Sequence, residues 1–158
     1  MGYYTRVFCT SQEKPTINDL LENLNLSGYP IESNSDLENE KAVEWTKFEL
    51  NYDSERMPLL VEINEVGKSD SLAEEEIAEF LEWIGKPKFF ELKKKKVIHH
   101  LNKTKYIVCI QLPTSDIVDK GYEVNGVLMT YLEKNFSGMI QADGEGFYFN
   151  TQLWFELE

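Results

Sequence analysis

Residues 89–101 read FFELKKKKVIHHL, placing four consecutive lysines and two adjacent histidines in a chain of formal net charge −12. Clustered lysines neutralise phosphate and paired histidines ligate metals, so these residue types could carry chemistry. In a helix, however, Lys93, Lys94, Lys95 and Lys96 point in directions about 100° apart and do not converge on one anion. His99 and His100 diverge by the same angle, unlike an i, i+4 pair, and no cysteine or carboxylate lies at a helpful local spacing. One histidine flanking the core and one facing solvent is the expected arrangement. No metal site and no cofactor is assigned.

Lys86, Lys88, Lys103 and Lys105 extend the run to eight lysines against one acid, Glu91. Nucleic-acid binding needs a basic surface that dominates long-range approach. Here the surrounding acid opposes it, and neither an aromatic RNA-binding motif nor a helix-turn-helix signature is present. The lysines are read as a solvated helix face, or as a counter-charge for the acidic half of the chain.

Paired carboxylates are the next candidates, since two at a fixed separation act as acid and base or nucleophile. Asp143, Glu145 and Glu156 lie in the C-terminal run, where Asp143 is also what a tight hairpin turn requires and Glu145 between two glycines suits a bulge. Neither a phosphate loop, a dinucleotide fingerprint nor a Gly-x-Ser-x-Gly elbow occurs. Cys9 and Cys109 sit inside β-branched and aromatic runs, TRVFCT and YIVCIQL, and are expected to be inert core thiols in a reducing compartment.

These residues must be positioned by a chain of 158 residues, the length of one domain, and residues 1–158 are read as a single one. A domain of that size buries roughly 70% of its unfolded surface. Hydrophobic residues at 42% and charged residues at 28% give the balance of a folded protein. The start, MGYYTRVFCT, has no basic segment followed by an apolar run, and no stretch approaches a membrane span. The expectation is a cytoplasmic protein without a membrane partner. Charge is uneven: residues 1–85 carry 19 acidic and 6 basic side chains, a balance of −13, against 9 and 10 over residues 86–158, a balance of +1.

Periodicity supplies the elements. Tyr3–Cys9 reads as a strand. Thr16 and Asp19 form a capping box for a helix whose Ile17, Leu20, Leu21 and Leu24 share a face, with Gly28 beyond its end. Tyr29–Lys41 reads as a long surface loop. Glu44–Tyr52 and Met57–Val66 form a hairpin of strands, the second expected to be buried on both faces. Ser71 and Glu74 suggest another capping box, opening a helix with Ile77, Phe80, Leu81 and Ile84 inward and Glu75, Glu76, Glu79 and Glu82 outward. A helix over Lys88–Asn102 follows, with Phe90, Val97, Ile98 and Leu101 inward, then a strand over Tyr106–Leu112. The last helix, Gly121–Phe136, turns Val127, Leu128, Tyr131 and Leu132 inward, and a meander closes the chain: Met139–Ala142, Phe147–Phe149 and Leu153–Leu157. The fold class is α+β, expected as a two-layer sandwich. Its βαββαβ succession, with extra helices and a C-terminal meander, resembles the ferredoxin-like plan in element order.

The functional expectation follows from charge and from the lack of catalytic motifs. Small acidic inhibitors and immunity proteins have this size and charge, an analogy of composition. The leading reading is a non-catalytic binding module that engages a basic protein partner through Glu75, Glu76, Glu79 and Glu82 and the loop Tyr29–Lys41. The alternative is an enzyme or small-molecule-binding domain with a cleft beside the meander, where Asp143, Glu145, Tyr148 and Trp154 converge.

Overall fold

Two apolar strands organise the molecule. The computed structural model describes residues 2–31, 44–150 and 152–156. Within them the order is β1 (Gly2–Cys9), α1 (Ile17–Leu26), β2 (Lys47–Leu50), β3 (Leu59–Glu65), α2 (Ala73–Ile84), α3 (Leu92–Lys103), β4 (Tyr106–Pro113), α4 (Asp119–Asn135), β5 (Gly138–Ala142), β6 (Gly146–Phe149) and β7 (Gln152–Glu156). The protein is mixed α+β, with one seven-stranded sheet in the order β2-β3-β4-β1-β5-β6-β7 and every neighbouring pair antiparallel.

β1 and β4 pair along their whole length, from Gly2 opposite Pro113 to Cys9 opposite Tyr106. Side chains alternate across the sheet, so Val7 and Cys9 face one core with α1 and α4, while Phe8 faces another with α2 and α3. Helices therefore cover both faces, and the expected two layers are three. The apolar run of β4, buried from Tyr106 to Ile110, is what a doubly covered strand requires. β3, expected to be buried on both faces, instead alternates, with Leu59, Val61 and Ile63 inward and Leu60 and Glu62 outward.

The succession of elements along the chain is as expected, yet the spatial path differs from a split βαβ plan. β3 and β4 are direct antiparallel neighbours, and β2 lies three places from β1. A long two-helix excursion, α2 then α3, allows β4 to return beside β3 instead of across β1. Both predicted first-helix caps hold: the Thr16 hydroxyl accepts from the Asp19 amide at 3.0 Å, and the Asp19 carboxylate accepts from the Thr16 amide at 2.9 Å.

Three local readings change. Ser71 lies one residue ahead of the α2 N-cap, Leu72, and accepts from the Ala73 amide, while Glu74 turns back to accept from the Gly67 amide at 2.6 Å. There is no reciprocal box, because the turn before α2 takes both side chains. α3 begins at Leu92, so Phe90 is outside the helix and exposed instead of lining the core. The inward stripe of α4 is Gly121, Val124, Asn125, Leu128 and Leu132, with Val127 and Tyr131 on its flanks. The expected loop lies outside the described residues beyond Ile31. Among the described residues no helix is long and apolar enough to cross a membrane.

Candidate functional site

α2 is seated by a cluster of phenylalanines. Phe80 meets Phe8 edge-on at 5.6 Å and Phe147 at 5.5 Å between ring centroids, so a single helix residue touches β1 and β6 together. Burying one such ring contributes about 1.5–3 kcal/mol. With Phe80, Ile84 and Ala73 inward, helical geometry turns Leu72, Glu75, Glu79, Glu82 and Trp83 outward as one stripe.

Of the four predicted glutamates, the structure keeps three on that stripe. Glu75, Glu79 and Glu82 are exposed and make no hydrogen bond or ion pair among the described residues. Glu76 is drawn inward instead, its carboxylate 3.6 Å from Arg6 Nε. Burial outweighs the attraction of Arg6 and holds the Glu76 carboxyl above its ordinary range. Trp83 joins the stripe 60% exposed, its ring fixed edge-on against Phe80 at 5.3 Å. In the link to α3, Phe89 and Phe90 are also exposed and pack against each other. The sequence reading missed Trp83, although its place one turn beyond Glu79 is a legible signal.

The second predicted group is divided. Asp143 joins Arg6 on the α2 side of the sheet: Arg6 Nη1 donates to Asp143 Oδ1 and to Gln141 Oε1, each at 2.8 Å. Trp154 is the extra residue of a bulge, since Phe147 pairs with Phe155 and Tyr148 with Leu153. The bulge turns its ring onto Phe149 at 4.6 Å and under α3. Asp143 and Trp154 therefore do not meet the other two residues, correcting the expected convergence.

Glu145 and Tyr148 do come together, on the opposite face, at the mouth of a cleft of about 510 Å³ between α4 and the β5–β6 turn. Gly146 permits this turn: at φ 138° it leaves no room for a Cβ, which would lie 2.0 Å from the Phe155 carbonyl oxygen. Tyr148 donates to Glu145 Oε1 at 2.6 Å, and the Tyr3 hydroxyl donates to the other carboxylate oxygen. That hydrogen bond, with burial, pushes the Tyr148 hydroxyl up to about 12. Burial and the Glu145 bond raise Tyr3 as well. Thr5 and Asn125 line the cleft from β1 and α4.

The lysine run and the histidine pair have structural roles. Lys93, Lys95 and Lys96 are exposed, as a solvated helix face requires. Lys93 and Lys96 also lie over the Trp154 ring at 5.8 and 4.6 Å and Lys94 over Phe155 at 5.2 Å, so Lys93, Lys94 and Lys96 hold β7 to α3 by cation–π contact. Lys95 donates to the Phe89 carbonyl at 2.9 Å. His99 is exposed, while His100 is half-buried and bonds the Phe8 carbonyl through Nε2 at 2.7 Å. Burial lowers the pKa of His100. Cys9 and Cys109 are free and buried on opposite faces of the sheet; burial raises both thiols, Cys109 to about 12.

Comparison with protein-family models, with curated proteins and with solved structures finds no match for this chain.

Proposed function

We propose that this chain is a non-catalytic binding module that engages a basic surface of a partner protein with the outer stripe of α2. The observation that carries the reading is the combination of Glu75, Glu79 and Glu82, all without an intramolecular counter-ion among the described residues, beside the exposed and pre-oriented Trp83. Tryptophan is enriched among the few residues that dominate interface energetics, and surrounding charge steers encounter. Like charges at i, i+3 and i, i+4 weaken a helix, and Glu82 in the last turn of α2 also opposes the helix dipole. A reducing, cytoplasmic setting accommodates the two buried thiols.

Affinity capture from a native lysate, at about 0.05 and about 0.5 M salt, tests this. The wild type should retain a protein with a basic surface at low salt and release it at high salt. Glu79→Lys/Glu82→Lys and Trp83→Ala should each lose that protein. Equal retention by all three chains refutes the assignment to α2.

A further inference from the structure

The cleft between α4 and the β5–β6 turn lies on the face of the sheet opposite α2 and is independent of the docking stripe. Its volume, about 510 Å³, falls within the range of small-molecule sites, roughly 300–1,000 Å³. Three tyrosines line it, Tyr3, Tyr122 and Tyr148, above an apolar floor that includes Met129 and Ile140. Among the described residues one lining residue is charged, Glu145, and it pairs with no cation. Both of its oxygens are held by tyrosine hydroxyls, which fixes the carboxylate at the mouth.

A second observation points inward. Asn125 is 4% exposed, on the buried stripe of a helix where an apolar residue packs better. Its Oδ1 accepts from the Thr5 hydroxyl at 3.1 Å, yet its Nδ2 has no partner among the described residues. Nδ2 is not among the buried side-chain atoms left without a partner, so it opens to the cleft, where it can donate to water or to an acceptor on a ligand.

We propose that this cleft binds a small organic ammonium compound that carries a hydrogen-bond acceptor, its cationic head against Glu145 and the tyrosine rings and its acceptor at Asn125 Nδ2. Aromatic faces and a fixed carboxylate attract a cation that sheds water easily, which favours an alkylated ammonium over a metal ion or an anion. An anionic ligand meets Glu145 and finds no lysine or arginine among the described residues of the lining.

The test uses acetylcholine and its neutral isostere 3,3-dimethylbutyl acetate, in which carbon replaces the ammonium nitrogen, titrated into the full chain by two-dimensional ¹H–¹⁵N NMR. Acetylcholine should give saturable shifts confined to residues near Thr5, Asn125 and Glu145, at least about tenfold tighter than the isostere. Glu145→Gln, whose spectrum also reports its folding, should weaken acetylcholine about tenfold and leave the isostere unchanged. Tyr122→Ala, a half-exposed position, serves as a second variant and should weaken acetylcholine alone. Absence of saturable shifts in the cleft, equal binding of the two probes, or unchanged acetylcholine affinity in both variants overturns the proposal.

Discussion

Glu82→Lys separates a docking charge from a structural one. Glu82 lies in the last turn of α2, which has no basic residue, so its charge opposes the helix dipole and repels Glu79 at i−3. Reversal replaces that repulsion, roughly 0.2–0.5 kcal/mol, with an attraction of similar size. A cation at the helix C-terminus adds about 0.3–1 kcal/mol. Allowing for solvent screening of an exposed side chain, the net gain is about 1 kcal/mol. For a chain of this length that raises Tm by roughly 2–4 °C. Thermal unfolding by circular dichroism at low ionic strength measures it, and a repeat at about 1 M salt should shrink the gain. The same substitution should weaken partner binding, so stability and function move in opposite directions. An unchanged or lower Tm at low salt refutes the electrostatic reading of α2.

Three further outcomes follow from the contacts. Arg6→Met leaves Asp143 and the half-buried Glu76 without their cation and should lower stability by about 2–4 kcal/mol in urea titration. Because Glu76 has a raised folded pKa, its contribution to stability is complete below its ordinary value and is lost as pH rises through the folded value. Glu76→Gln should remove that loss, seen as a flatter stability profile across the mildly acidic range. Ser137, just past α4, holds a left-handed φ of 51°, and Ser137→Gly should raise stability by about 0.5–1 kcal/mol in the same titration.

Much of the element list was readable because periodicity is local. The α1 capping box and the apolar run of β4 each depend on neighbours a few residues away, and both occur as read. The layer count was not readable, since it depends on where α2 and α3 return after leaving β3, a choice made by the burial of Phe80 against Phe8 and Phe147. For the same reason Tyr3 could not be placed beside Glu145: the sheet brings together residues 142 positions apart through the β1–β5 pairing. Trp154 was misplaced because one extra residue in β7 reverses which face its ring joins, and period-two reasoning has no warning of a bulge. Asn125 gave the clearest overlooked signal, a polar residue between Val124 and Leu128 on a stripe otherwise made to be buried. The aromatic partners of the lysine run, on β7, lie some 60 residues on, beyond any local pattern.

The most direct measurement is hydrogen–deuterium exchange of the chain alone and in complex with the protein it captures. Protection concentrated on α2 from Leu72 to Trp83, and absent when Trp83→Ala is used, is the predicted result. A footprint elsewhere on the chain, with α2 exchanging as freely as before, contradicts the account.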